Sequence, residues 1–112
     1  MAVHIVEDDP GVSDSLLMFL QGMGLIAFTY PDAESFFEAE PPQSDDTIIV
    51  DLLLPGISGA GVIRWLQELR DPPRVIAISA QSQTAIEKQI RGISGVEILR
   101  KPLSSEIISQ IV

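Results

Sequence analysis

The stretch TIIVDLLLPGISG, residues 47–59, decides the fold. Its first four residues, 47–50, form a short apolar run rich in β-branched side chains, the pattern of a strand buried on both faces. The run ends on Asp51, and Pro55-Gly56 soon forbids regular structure. A carboxylate there sits at the carboxyl end of a central strand, where open α/β sheets place their ligands. Taken alone, Asp51 serves as well to start a turn as to react. The other strand ends decide between the two.

Working outward, residues 3–6 form a second apolar run, followed at once by Glu7-Asp8-Asp9. Asp9 and Pro10 are an N-cap and a first helical residue. They open a helix over about 11–21, with Val12, Leu16, Phe19 and Leu20 on one face, ended by Gly22 and Gly24. A strand over 25–30 and a short helix from Pro31-Asp32 to Ala39 come next. The polar loop 41–46 leads into the 47–50 strand. Ser58-Gly59 opens a helix to about Leu69, with Val62, Ile63, Leu66 and Leu69 inward. A strand at 75–78 ends on Ser79, a weaker helix spans about 84–91, and a strand at 96–99 leads to Arg100-Lys101-Pro102. Ser104 and Ser105 begin a last helix still running at Val112. Five alternating β-α units predict an α/β domain, a doubly wound parallel sheet with helices on both faces.

The chain has 112 residues, 46% of them hydrophobic, and no cysteine. It is thus one domain with a real core and without disulfides or thiolate metal sites. No apolar run approaches the roughly 18–20 residues of a membrane span, and residues 1–6 lack the charged start of a signal peptide. A soluble, cytoplasmic domain is expected. Sixteen acids against seven bases give a net charge of −9. The bases are scattered, so this segment is not expected to bind nucleic acid directly.

In a parallel sheet all the strand carboxyl ends lie along one edge. Glu7, Asp8 and Asp51 therefore meet, joined by Ser79 and Lys101. Two like charges about 4 Å apart repel by roughly 4 kcal/mol at an effective dielectric of 20. The cluster needs a proton or a cation, and Lys101 supplies one positive charge against three negative. An incomplete cage of oxygen ligands suits Mg²⁺, which keeps waters and shares a phosphate oxygen. With Mg²⁺ the arrangement fits phosphoryl transfer. Asp51, alone at its strand end, is the better nucleophile, and the Glu7-Asp8 pair is better suited to metal. Ser79 and Lys101 are placed to meet phosphoryl oxygens.

Residues Glu7-Asp8, Asp51 with Pro55 and Gly59, Ser79 and Lys101-Pro102 resemble the motifs of the receiver domain of bacterial response regulators. The resemblance covers essentially the whole chain, with 28 residues from Asp51 to Ser79 and 22 from Ser79 to Lys101. Singly the motifs are weak; in this order and spacing they are specific. The resemblance implies a flavodoxin-like receiver fold with strand order 2-1-3-4-5. It implies that Asp51 is the phosphoacceptor for a histidine kinase, in a two-component phosphorelay. By the same resemblance Asp8, Asp51 and the backbone carbonyl of Leu53 hold Mg²⁺, Glu7 acts through water, Ser79 and Lys101 bind the phosphoryl group, and Lys101-Pro102 is cis. Self-phosphorylation and self-dephosphorylation are the only chemistry expected; the domain is not an enzyme in the usual sense. Residues 1–112 would form one receiver domain, its last helix about two turns short of the family's, with any output domain absent. Homodimerisation through the face formed by the helix over about 84–91, the strand at 96–99 and the last helix is a further analogy.

Three positions depart from the family pattern. Ile98 stands at the switch position, where an aromatic residue is usual, and has no ring to swing inward. Leu103 replaces a common Phe. Leu53, two residues after Asp51, is apolar where the side chain flanks the attacking water, and predicts a slowed self-hydrolysis. Two other functions compete: a degenerate receiver that binds partners without phosphorylation, and an aspartyl-phosphate phosphatase of the haloacid-dehalogenase type. The second wants an acid where Leu53 stands. Elsewhere, His4 and Trp65 read as packed residues, Met18 and Met23 as core, and Asp45-Asp46 as a solvated loop.

Overall fold

Strands form where the chain concentrates Val and Ile, and helices where apolar residues recur every three to four positions. The structure, a computed structural model, describes residues 1–111 and the side chains of residues 1–110. The expectation that the last helix still runs at Val112 falls outside the described residues. In chain order the elements are β1 (Ala2–Val6), α1 (Pro10–Gly22), β2 (Ile26–Tyr30), α2 (Ala33–Glu38) and β3 (Thr47–Asp51). They continue with α3 (Gly59–Gln67), β4 (Arg74–Ser79), α4 (Gln83–Gln89), β5 (Glu97–Arg100) and α5 (Ser105–Ile111). The strands form one parallel sheet of order β2-β1-β3-β4-β5, the expected topology.

Alternation along the strands sends successive side chains to opposite faces. Val3, Ile5, Ile49, Ile76 and Ile78 pack with Leu16 and Leu20 of α1 and Ile108 of α5. Val6, Ile48, Val50, Val75 and Ala77 pack with Phe36, Val62, Ile63, Leu66 and Ile86 from α2, α3 and α4. Every residue of β3 is buried, which explains its unbroken apolar run. Edge strand β2 has no buried residue: Ile26, Phe28 and Thr29 are exposed and Ala27 and Tyr30 half-buried. Chain direction across the sheet reverses between β1 and β3. The crevice at their carboxyl ends is the switch point where such sheets bind ligands.

Two side-chain expectations are corrected. Met18 and Met23 are exposed, at 72% and 42%, not core. The buried face of α1 is carried by Leu16 and Leu20, one helical turn apart. Met18, two residues from each, falls on the opposite side; Met23 is the helix's C-cap. Asp46 is buried, not solvated. It accepts bonds from the amides of Ala2 (2.9 Å) and Gln43 (3.0 Å) and contacts His4 Nε2 at 2.9 Å. Burial alone raises its pKa, yet His4 and the two amides outweigh that and hold it below the ordinary carboxylate value. His4 is packed as expected, stacked on Phe28 and Tyr30, and Trp65 lies against Phe36 and Phe37.

Candidate functional site

Four strand ends build the site. β1 delivers Glu7 and Asp8, β3 delivers Asp51, β4 delivers Ser79, and Lys101 follows β5 directly. Carboxylate oxygens of Glu7, Asp8 and Asp51 lie within 4.8 Å of one another. The Lys101 ammonium bridges two of them, 2.7 Å from Asp51 Oδ2 and 2.9 Å from Glu7 Oε2. Asp51 and Glu7 are buried, while Asp8 stands exposed at the mouth.

The loop after β3 fixes the central carboxylate. The Leu53 amide donates to Asp51 Oδ1 at 2.9 Å, and the Leu52 amide donates to the Ile78 carbonyl at 3.0 Å. Gly56, at φ 70°, makes the turn that Pro55-Gly56 announced. Gly59 then brings the start of α3 against the backbone of β3. A Cβ there would lie 2.1 Å from the Asp51 carbonyl oxygen and 2.6 Å from Leu52 Cα. Only glycine fits, which gives this motif position its physical reason.

The charges are uneven. Burial raises the Glu7 pKa, Lys101 pulls it back, and Asp51 raises it again, leaving it at about 7. Glu7 Oε1 accepts from the Asp9 amide at 3.1 Å. Its Oε2 is buried and has the ammonium nearby but no aligned hydrogen bond. Burial works against the charge on Lys101, but Asp51 and Glu7 more than compensate and hold its pKa above the ordinary lysine value. A buried, under-partnered carboxylate oxygen beside two more carboxylates is the donor set a hard divalent cation takes. Glu7, Asp8 and Asp51 therefore fit Mg²⁺.

Ser79 is fully buried, but its hydroxyl is turned to Gln81. It accepts from the Gln81 amide at 3.0 Å and donates to Gln81 Oε1 at 3.4 Å. Its carbonyl accepts from the Lys101 amide at 2.9 Å, tying the two strand ends together. Gln81 is the site neighbour the sequence reading missed. A Ser two residues before a free amide signals a local side-chain turn, but nothing in the sequence gives the glutamine side chain's direction. The Lys101-Pro102 peptide is cis, as expected. Leu53 contributes its amide, and its side chain is 61% exposed. Ile98 is half-buried and packs against the core shared by α2, α3 and α4.

Comparison with known proteins bears on the family and the fold. The family model described as response regulator receiver domain matches residues 3–112. The transcriptional regulatory protein FixJ of Azorhizobium caulinodans is 26% identical, over 96% of this chain and 51% of that protein. The sensory transduction protein RegX3 of Mycolicibacterium smegmatis is 29% identical, over 98% of this chain and 48% of that protein. The chain thus spans about half the length of these curated relatives. Among solved structures, the chemotaxis response regulator CheY4 of Vibrio cholerae superposes with a TM-score of 0.85 at 18% identity, covering 99% of this chain and 95% of that one. It shares the fold. No helix among the described residues is long and apolar enough to cross a membrane.

Proposed function

We propose, since this chain belongs to the response regulator receiver domain family, that it is a switch set by phosphorylation of Asp51 and driven by a histidine kinase. The observation that carries this reading is the meeting of the Asp51 carboxylate with Lys101 at 2.7 Å beside the carboxylates of Glu7 and Asp8. One nucleophile, one fixed cation and a divalent-cation donor set then surround a single point.

The reaction follows from the donors present. An Asp51 carboxylate oxygen attacks the phosphorus of a phosphohistidine, the P–N bond breaks, and the imidazole leaves with the electron pair. Both Asp51 oxygens are engaged beforehand, Oδ1 by the Leu53 amide and Oδ2 by Lys101. The carboxylate is therefore held in one orientation before attack, and little reorganisation remains. Asp8, Asp51 and the Leu53 carbonyl would hold Mg²⁺, with Glu7 acting through water. When bound, the ion neutralises charge on the transferring oxygens. Lys101 keeps its ammonium within reach of the new phosphoryl group. Ser79 gives up Gln81 to donate to another phosphoryl oxygen. Reversal to inorganic phosphate needs only attack by water on the acyl phosphate.

A groove of about 690 Å³ between α1 and α5 opens beside this point, lined by Val12, Phe19, Leu103 and Ile108 and reaching Lys101. It offers a donor protein an apolar seat next to Asp51. The test is incubation with Mg²⁺ and a small phosphodonor, followed by intact mass. One added phosphoryl group in the parent, absent from Asp51→Asn, is the expected result. An unmodified parent that also ignores beryllofluoride would favour a receiver that binds partners without phosphorylation.

A further inference from the structure

We propose that the open edge of β2, at the end of the sheet remote from β5, docks an extended basic and apolar segment of a protein partner. β2 is the last strand of the sheet. The Glu7 amide donates to the Tyr30 carbonyl at 3.0 Å, so Tyr30 spends its backbone groups on the β1 side. By the two-residue alternation of strands, Phe28 and Ile26 do the same. Ala27 and Thr29 consequently turn their amides and carbonyls to the unpaired edge. Strand edges are commonly protected by Lys, Pro or a bulge. β2, with sequence IAFTY, carries no charge and no proline.

Beside this edge a groove of about 420 Å³ lies across one face of β1 and β2, lined among others by His4, Ile26, Phe28, Glu40 and Pro41. Ile26 is 63% and Phe28 47% exposed, and the short α2 stops before covering them. Phe28 is backed by the stacked His4 ring, which Asp46 and Tyr30 hold from both nitrogens. The apolar wall is thus rigid and pre-formed, which lowers the ordering cost of binding.

Charge selects the occupant. Residues 1–63 contain eleven Asp and Glu and not one Lys or Arg. Glu40 lines the groove and Glu38 is exposed nearby, while the amino terminus is occupied by Asp45 at 3.4 Å. A second copy would bring the same two exposed acids, Glu38 and Glu40, and nucleic acid or anionic lipid would add negative charge. A strand with Lys or Arg among apolar residues brings the opposite charge and the missing ladder partners. This inference does not rest on the phosphoryl site.

The probes are two labelled octapeptides, one alternating Val and Lys, one alternating Val and Glu, followed by fluorescence anisotropy. The Lys peptide should bind the parent at least about tenfold tighter than the Glu peptide. Ile26→Lys, which opposes it by charge, and Thr29→Pro, which removes an outward donor, should each weaken it at least about tenfold while melting like the parent. Bound peptide should slow hydrogen exchange at the Ala27 and Thr29 amides. Undiminished binding to both variants, or no slowing at those two amides, overturns the proposal. So does a concentration-dependent dimer abolished by Ile26→Lys, which would give the edge to a second copy.

Discussion

Gly59→Ala is the most demanding substitution for this account, because its cost follows from one short approach. The added Cβ would sit 2.1 Å from the Asp51 carbonyl oxygen and 2.6 Å from Leu52 Cα. A carbon–oxygen contact normally lies at about 3.3 Å or more. Both neighbours are backbone, so the start of α3 or the end of β3 must move by about 1 Å. Overpacking of this kind costs about 1–3 kcal/mol. Weakening the Gly59 amide bond to the Leu52 carbonyl, 3.3 Å in the parent, adds up to about 1 kcal/mol. Better helix propensity returns at most about 1 kcal/mol. A net loss of about 1–3 kcal/mol lowers the melting temperature by roughly 5–12 °C in a domain of this size. Gly22→Ala is the control. It closes α1 with nothing within 4 Å of the new Cβ and should melt slightly higher than the parent. Circular dichroism melts of the three proteins at one pH make the comparison. A Gly59→Ala melt within about 2 °C of the parent would refute the close-approach reasoning.

Glu7 sets a pH dependence of opposite sign to that of most acids. Its folded pKa is raised from 4.5 to about 7, so between those values the unfolded chain ionises while the folded one holds its proton. In the absence of metal its contribution to stability is therefore full below 4.5 and is lost as pH rises through about 7. Urea titrations should show Glu7→Gln without this decline; an identical slope in both proteins would contradict the assignment. Asp46→Ala strips the Ala2 and Gln43 amides of their acceptor and should cost about 2–4 kcal/mol in the same assay. Because the Asp46 pKa is depressed, its contribution holds above the ordinary carboxylate value and is lost as pH falls through the lowered one. Leu53→Asn should speed loss of phosphate from the phosphorylated domain, since its exposed apolar side chain at the mouth of the site gives way to one that can orient water. An unchanged or slower rate would remove Leu53 from the account.

Parallel topology explains why so much of the site was legible in the sequence. Once residues 3–6, 47–50, 75–78 and 96–99 are read as strands of one parallel sheet, their carboxyl ends must share an edge. Glu7, Asp8, Asp51, Ser79 and Lys101 are then neighbours by covalent connection alone. What escaped the sequence depends on side-chain direction. Asp46 looked like loop polarity because its donors, Ala2 and His4, come from a strand some forty residues away in the chain. Met18 looked like core because hydrophobicity alone does not say which side of α1 faces the sheet. Gln81 gave no sign that its side chain closes on Ser79. Gly59 was recognisable as a motif position, but its reason, the backbone of Asp51 and Leu52 pressed against it, exists only in three dimensions.

Peptide mapping of the domain after treatment with Mg²⁺ and a small phosphodonor tests the central claim most directly. The account predicts one phosphoryl group, carried on the peptide that contains Asp51, dependent on the divalent ion and lost on chelation before the donor is added. A phosphoryl group on any other residue, or equal uptake by Asp51→Asn, would contradict it.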